Sequence, residues 1–257
     1  MSLKRILNFV SVLVTITVNG LANALPLNGQ NTGEISNRFP VLFTPAGYVF
    51  SIWGVIYLGL LAFGIYQLLP SQKNNLRLEK LGYWFVLSNV FNSAWIFAWH
   101  FNLFPLSLVI MLGLLVSLVV IYLRLQIGIS PVSTREMWLV NIPFSIYLGW
   151  ISVATIANFS VVLYNAGWDG SGFAAAWTIL VLAVGVALGI AMIFLRNEVA
   201  FPAVLVWAFA GIWQKQSSAN TTVAMAAAIA ALIVLAAILY KRFVKKSQPQ
   251  MVAKPAI

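Results

Sequence analysis

Long uninterrupted apolar runs constrain this chain of 257 residues more than any other feature of its sequence. Hydrophobic residues make up 61% of the chain and charged residues only 8%, whereas a soluble globular protein carries roughly a quarter charged residues. Because so few charges cannot cover a surface that faces water, we predict an integral membrane protein whose first partner is the lipid bilayer. The absence of cysteine excludes a disulfide-stapled domain and any site built on thiolates.

Eight apolar segments approach the length of a membrane span. A helix that crosses the hydrocarbon layer of roughly 30 Å needs about 20 mainly apolar residues. The runs do not alternate as the strands of a membrane β-barrel would, so we predict an all-α, polytopic membrane helical bundle. The segments are 6–25, 46–69, 82–101, 104–123, 138–163, 173–195, 199–214 and 220–240.

Two of these segments admit a second interpretation. The first follows Lys4-Arg5 and ends near Ala22-Asn23-Ala24, a pattern that a cleaved signal peptide also shows. We favour a transmembrane helix, because the apolar stretch reaches spanning length. The segment 199–214 is short and would also suit a re-entrant hairpin. We favour a span, since the basic cluster at residues 241–246 would otherwise lie on the outer side of the membrane, against the positive-inside rule.

The positions of the positive charges matter more than their sum. A net charge of +10 would suggest a nucleic-acid partner for a soluble protein. In the eight-span arrangement, however, all but two of the fifteen lysines and arginines lie on the side of the N-terminus, and the exceptions are Arg38 and Lys215. By the positive-inside rule we expect both termini in the cytoplasm. We expect the plasma (inner) membrane of a bacterium as the location and no nucleic-acid partner.

Ionisable groups are missing from the predicted span interiors. Every acidic residue falls in a loop or at a helix end, and the lone histidine, His100, lies at a turn. Ion-coupled transporters usually place an ionisable group within the membrane. We therefore predict no catalytic residue, no metal site and no enzymatic activity. The acidic residues are Glu34, Glu79, Glu136, Asp169 and Glu198.

Tryptophan and asparagine side chains occupy the spans instead. The asparagines could be hydrogen-bond links between helices. They could equally orient the polar groups of a flat apolar ligand in a pocket walled by indoles, and composition alone does not choose. The side chains at depth are Trp53, Trp95 and Trp150 with Asn89, Asn92, Asn141 and Asn158.

Three short stretches in the second, third and fifth spans share one family's pattern. Residues 43–57 read FTPAGYVFSIWGVIY, residues 92–95 read NSAW, and residues 150–158 read WISVATIAN. In this order and in these spans they resemble the translocator protein/tryptophan-rich sensory protein family, also called the TspO/MBR family. The resemblance covers roughly residues 6–164. Pro45-Ala46 stands where that family has a proline pair, and Tyr48 stands where it has tryptophan.

The resemblance implies a five-helix core with a ligand pocket near the connection between helices one and two. Family members bind porphyrins and other flat hydrophobic molecules. No cofactor is required, and a bound porphyrin or tetrapyrrole is the expected ligand. The lid of the pocket would be Leu25 to Thr44, with its polar run 28–33 mobile when the pocket is empty. The ligand-binding residues that the resemblance implies are Pro45, Trp53, Tyr57, Asn92, Trp95, Trp150, Ala154, Thr155 and Asn158.

We therefore expect a five-helix domain at 1–165, additional C-terminal transmembrane helices at 166–243 and a basic cytoplasmic tail at 244–257. The G-x-x-x-G pattern at Gly185 and Gly189 could dock the C-terminal helices on the core or form the face of a homodimer. We expect ligand binding by a sensor, regulator or carrier. The alternatives are a secondary transporter or facilitator of small hydrophobic molecules, and a light-dependent porphyrin-degrading activity of the kind suggested for the family.

Overall fold

The computed structural model describes residues 3–170 and 172–247, with side chains as far as Phe243, and all regular structure in these residues is helical. The predicted all-α membrane bundle is thereby confirmed. The described residues form eight long helices, at the eight predicted positions. They are α1 (Leu3–Ala24), α2 (Ile52–Tyr66), α3 (Trp84–His100), α4 (Phe104–Arg124), α5 (Ile142–Asn165), α6 (Ala174–Leu195), α7 (Ala200–Gln216) and α8 (Thr221–Ser247).

Short helical turns extend and connect the long helices. A 3-10 turn, Gly47–Ser51, leads directly into α2, and the turn Thr134–Glu136 with the π-helical Met137–Asn141 leads into α5. The lid, Leu25 to Thr44, contains the lid helix, Thr32–Asn37. The remaining short elements are Leu27–Gly29, Pro70–Gln72 and Leu76–Glu79.

Within the described residues, six helical segments are long and apolar enough to cross a membrane. The multi-pass character of the chain is thus confirmed. Helices α3 and α7 have 17 residues each, or about 25 Å at roughly 1.5 Å per residue, and their crossing of the bilayer stays a prediction. The six segments are Leu3–Ala24, Gly47–Tyr66, Phe104–Arg124, Thr134–Asn165, Ala174–Leu195 and Thr221–Phe243.

Helix α7 runs from one end of the bundle to the other and is not a re-entrant hairpin. Just before it, the Arg196 guanidinium carbon lies 5.5 Å from the centroid of the Tyr122 ring, in the last turn of α4. In its own last turn, Gln216 Nε2 donates to the carbonyl oxygen of Leu42 in the lid, at 3.1 Å. The first turn of α4 lies beside the lid. Helix α7 therefore runs between the same two ends of the bundle as α4.

Helix α1 is an integral member of the bundle, as the transmembrane interpretation of its sequence requires. Its Asn19 Nδ2 donates to Asn92 Oδ1 of α3 at 2.8 Å, and Asn92 Nδ2 donates to the Tyr147 hydroxyl of α5 at 2.7 Å. The Thr15 hydroxyl donates to the carbonyl oxygen of Asn89 at 3.1 Å. These buried bonds link α1, α3 and α5. They satisfy polar groups for which a bilayer offers no partner.

Two ion pairs lie at the end of the bundle opposite the lid. Arg5 Nη2 is 2.9 Å from Glu79 Oε1, and Arg77 Nη1 is 2.8 Å from Glu136 Oε1. Arg77 also donates to Asn141 Oδ1 at 2.6 Å. Asn141, just before α5, is thus bonded to the connection between α2 and α3.

Glu198 is buried in the connection between α6 and α7, where it caps α7. Its carboxylate oxygens accept the backbone N–H groups of Ala200 at 2.8 Å and Phe201 at 2.9 Å. These are donors that the start of a helix leaves without partners inside the helix. Burial raises the pKa of Glu198, while the hydrogen bonds from Phe201 and Ala200 act in the opposite direction.

The three C-terminal helices pack on the five-helix part through α7. A Cβ atom added at Gly149 of α5 would lie 3.1 Å from the carbonyl oxygen of Phe201. A Cβ added at Gly185, in the G-x-x-x-G pattern of α6, would lie 2.8 Å from Phe209 Cζ of α7. The pattern therefore packs α6 on α7 within the chain, and a homodimer stays a prediction.

Both predicted domains contribute to one hydrophobic core, which includes buried residues of α5 as well as of α6, α7 and α8. The predicted basic tail, 244–257, lies for its greater part outside the described residues. The backbone of residues 244–247 continues α8.

Replacing Asn92 with alanine should lower the stability of the bundle. The change leaves Asn19 and Tyr147 without their buried partner, and we expect a loss of about 1–2 kcal/mol. Thermal unfolding of the purified protein in detergent measures this loss. Asn165→Ala, at an exposed position at the end of α5, is the control. Equal stability of the two variants would contradict the linking role of Asn92.

Candidate functional site

A narrow cavity lies beneath the lid, between α2, α3 and α5. Its interior admits the centre of a water molecule over about 40 Å³. Four of the ten tryptophans of the chain are in its wall. The wall consists of Thr32, Ser36, Pro45, Phe50, Trp53, Trp95, Trp99, Trp150, Val153, Ala154, Ala157, Asn158 and Val161.

Helix α5 supplies the longest side of the cavity. Its wall residues are at positions 150, 153, 154, 157, 158 and 161. Because the spacing of three or four residues follows the helical period, these side chains lie on one face of the helix. The small side chains of Ala154 and Ala157 leave the space that larger residues would fill.

Aromatic rings form two groups in the wall. Near the start of α2, the rings of Phe50 and Trp53 meet Trp150 nearly at right angles, with centroids 5.8 and 6.1 Å away. On α3, Trp95 and Trp99 are one helical turn apart and stack, with centroids 5.3 Å apart and planes 20° apart. The wall therefore presents broad apolar faces, which suit a flat apolar ligand.

Four polar side-chain atoms of the wall bond to the protein. Trp95 Nε1 donates to Asn158 Oδ1 at 3.0 Å, and Asn158 Nδ2 donates to the Ser107 hydroxyl at 3.0 Å. Trp99 Nε1 donates to the carbonyl oxygen of Thr32 at 3.3 Å. Both ends of the Asn158 amide are thus engaged in fixing the wall.

Two buried polar atoms of the wall make no hydrogen bond with any part of the protein that the structure describes. They are the Trp150 indole nitrogen, Nε1, and the Thr32 hydroxyl oxygen. An indole N–H can only donate, and a buried donor without a partner costs about 1–3 kcal/mol. Trp150 is 2% exposed, so water outside the protein does not relieve this cost. A ligand whose hydrogen-bond acceptor meets the Trp150 N–H would relieve this cost.

The cavity wall contains no aspartate, glutamate, lysine, arginine or histidine among its described residues. Two charged side chains at this end of the bundle bond elsewhere: Arg38 to the Asn102 amide oxygen, and Lys215 Nζ to Asn37 Oδ1 at 3.2 Å. The wall can thus supply apolar contacts and hydrogen bonds, but no proton donor or acceptor for acid–base chemistry.

The polar run 28–33 of the lid has defined partners. The side chains of Asn31 and Glu34 form a reciprocal capping box at the start of the lid helix. Asn28 Nδ2 donates to the carbonyl oxygen of His100, at the end of α3, at 2.9 Å. These bonds hold the lid helix, whose Thr32 and Ser36 close one side of the cavity. The mobility that the sequence suggests for this run stays a prediction.

A sequence model of the family described as TSPO-like protein matches residues 5–240. The chain belongs to the TSPO-like protein family. The match includes α6, α7 and α8, whereas the motifs seen in the sequence lie in α2, α3 and α5. No curated protein and no solved structure matches the chain.

Six of the nine residues that the family resemblance suggested as ligand-binding line the cavity of this TSPO-like protein. The other three lie elsewhere. Tyr57 is one turn after Trp53 and stacks behind its ring, with centroids 5.4 Å apart. Asn92 is engaged between α1 and α5 as described above, and the Thr155 hydroxyl donates to the carbonyl oxygen of Ile151 at 2.7 Å. The six are Pro45, Trp53, Trp95, Trp150, Ala154 and Asn158.

Seven residues of the cavity wall were not among the ligand-binding residues predicted from the sequence. Helical periodicity could have found four of them, since Trp99 is one turn after Trp95, and positions 153, 157 and 161 share the face of Trp150. Thr32 and Ser36 depend on how the lid folds back over the bundle, which no local pattern encodes. The seven are Thr32, Ser36, Phe50, Trp99, Val153, Ala157 and Val161.

Replacing Thr32 with valine should leave the stability of this TSPO-like protein unchanged within about 0.5 kcal/mol or raise it, because the hydroxyl that is lost has no protein partner. The matched control is Thr15→Val, which removes the hydrogen bond to Asn89 and should cost about 1 kcal/mol. Thermal unfolding in detergent compares the two. A loss for Thr32→Val as large as that for Thr15→Val would show that the Thr32 hydroxyl is bonded.

Proposed function

We propose that this TSPO-like membrane protein binds a flat hydrophobic molecule of the porphyrin or tetrapyrrole kind in the cavity beneath the lid, as a sensor, regulator or carrier. The observation that carries the proposal is the indole N–H of Trp150, which is buried in an aromatic wall and has no partner among the described residues. A ligand acceptor, such as a ring nitrogen or a carbonyl oxygen, would complete this hydrogen bond.

The shape of the cavity favours a flat ligand, and its size requires that the lid opens. Pockets for drug-sized molecules measure about 300–1,000 Å³, whereas only about 40 Å³ of this cavity admits the centre of a water molecule. The wall must therefore open before a ligand fits. A flat ligand needs less separation of the wall than a thick one, and the lid is the shortest element of the wall.

The chemistry of the wall favours binding over catalysis. Acid–base catalysis needs a positioned group that titrates near the working pH, and none lines the cavity. Ion-coupled transport usually needs an ionisable group within the membrane, and the cavity wall supplies none among its described residues. Sensing, regulation and carriage of a ligand all begin with the binding step, which the wall can support through aromatic contact and one or two hydrogen bonds. Loss of bound porphyrin only under illumination would instead favour a light-dependent degrading activity.

We also propose that the cavity lies at the outer end of the bundle, in a bacterial plasma membrane. Arg5, Arg77, Arg124 and Arg196 make their contacts at the end opposite the lid. By the positive-inside rule, that end faces the cytoplasm. A hydrophobic ligand would then reach the lid from the outer side or from the outer half of the bilayer.

Replacing Trp150 with phenylalanine should weaken porphyrin binding while keeping most of the aromatic wall. The lost hydrogen bond is worth about 0.5–1.5 kcal/mol, a roughly two- to tenfold higher Kd. Quenching of tryptophan fluorescence during titration with protoporphyrin measures the affinity. The control is Trp213→Phe, since Trp213 is exposed on α7 and lies outside the wall. Saturable binding of equal affinity in both variants would contradict the assignment of the site.

Replacing Ala154 with phenylalanine should abolish the binding, because the ring would occupy the narrow space between α3 and α5. The same titration with protoporphyrin measures the effect, followed by absorbance so that the added ring does not interfere. The control is Ala62→Phe, on α2 and outside the cavity wall. Unchanged binding to the folded Ala154→Phe protein would place the ligand elsewhere.

A further inference from the structure

Helix α7 holds the end of the lid and the 3-10 turn that leads into α2, Gly47–Ser51, in place. The backbone N–H of Ala46 donates to the carbonyl oxygen of Gly211 at 3.1 Å. Trp207 Nε1 donates to the carbonyl oxygen of Val49 at 3.1 Å. Together with the bond from Gln216 to Leu42, these contacts spread over three successive turns of α7. They attach α7 to the backbone of residues 42–49.

The absence of a side chain at Gly211 is what allows this close approach. A Cβ atom added there would lie 2.1 Å from Val49 Cγ2 and 3.1 Å from Pro45 Cβ. Both distances are shorter than ordinary contact between carbon atoms, which is about 3.5–4.0 Å. Any larger residue would push Pro45 and Val49 away from α7. Pro45 is part of the cavity wall, so such a shift would reach the site.

The segment that α7 holds adjoins the part of the wall best able to move, and shares Pro45 with it. Helices α3 and α5 span the bundle and are packed along their length, so a ligand cannot easily separate them. The lid side of the wall consists of Thr32, Ser36 and Pro45, in a connection and a helix of only six residues. Since the cavity is narrow, a ligand enters only when this side shifts.

We propose that Gly211, Trp207 and Gln216 are positioning residues for the ligand site: α7 sets how readily the cavity beneath the lid opens. This inference rests on the proposed function for its biological meaning. The opening itself is a property of the protein without ligand and can be measured separately. It also gives the C-terminal helices a role, because α7 is one of them.

A single cysteine on the lid measures the opening directly, because the chain contains no cysteine of its own. Ser36→Cys places a thiol on the lid helix at a position that is 6% exposed and lines the cavity. Its rate of reaction with a maleimide, in the full-length protein in detergent, then reports how often the cavity opens. Ser36→Cys alone gives the reference rate.

Adding Gly211→Ala should accelerate the labelling roughly fivefold or more, because the new methyl group overpacks the contact with Val49 and Pro45. The matched control is Gly185→Ala, whose methyl group would meet Phe209 on α7, away from the lid. It should leave the labelling rate within about twofold of the reference. Trp207→Phe removes the bond to Val49 and keeps a ring, so it serves if Gly211→Ala does not fold. Equal rates in the Gly211, Trp207 and Gly185 variants would overturn the proposal.

Ligand kinetics separate this inference from the proposed function. In stopped-flow measurements with protoporphyrin, Gly211→Ala should raise the association and dissociation rates together, by a factor similar to that seen in labelling. Absence of porphyrin binding in the unmodified protein would contradict the proposed function and leave the labelling result standing. Faster labelling with unchanged ligand rates would show that the opening at residue 36 is not the entry route, and would overturn the role of α7 at the site.

Discussion

A polar group within a bilayer must find its partner in the protein, because neither lipid tails nor water supply one. This requirement organises the bundle. With no ionisable group deep in the described helices, the partners are asparagine amides, hydroxyl groups, indoles and backbone carbonyls. The chain from Asn19 through Asn92 to Tyr147 joins α1, α3 and α5. The bond from Trp95 to Asn158 joins α3 to α5 again, beside the cavity.

Some buried polar atoms do not meet this requirement, and the wall of the cavity holds two of them, the Trp150 indole nitrogen and the Thr32 hydroxyl oxygen. The Trp150 indole is as buried as that of Trp95, at 2% and 6% exposed, yet its N–H has no partner in the described protein. The neighbouring Ala154 and Ala157 keep space open in front of the wall. The Trp150 N–H is thus an available donor in an aromatic wall. An unpaired buried donor costs stability, and the acceptor of the ligand that we propose would remove this cost.

The lid closes the side of the cavity that α2, α3 and α5 leave open. It folds over the cavity and is attached on one side to the end of α3, through the carbonyl oxygen of His100. On the other side it is attached to α7, through Leu42 and the residues that follow. The three C-terminal helices are therefore more than an addition to a five-helix core. They share its hydrophobic core, and the TSPO-like family match extends through them to residue 240.

The sequence predicted the helices well, because long apolar runs have few structural solutions in a membrane. It placed α7 as a helix in spite of its length, and the motif residues Trp53, Trp95, Trp150 and Asn158 indeed meet at one cavity.

Sequence patterns were less informative where tertiary packing decides. Asn92 and Tyr57 lie one helical turn from the wall residues Trp95 and Trp53, so helical periodicity alone places them near the cavity. Their contacts decide otherwise, since Asn92 bonds to Tyr147 of α5 and the Tyr57 ring stacks on that of Trp53. The contact of Gly211 with Val49 joins residues far apart in the chain. No local pattern of residues encodes such a contact.

The central claim is that the free donor of Trp150 receives a ligand acceptor. A structure of the protein with protoporphyrin bound tests it most directly. The account predicts the macrocycle between the Trp95–Trp99 stack and the ring of Trp150, with an acceptor atom about 3 Å from Trp150 Nε1. A macrocycle bound elsewhere, for example in the apolar groove between Trp138 and Trp207, with the Trp150 N–H still unpaired, would contradict it.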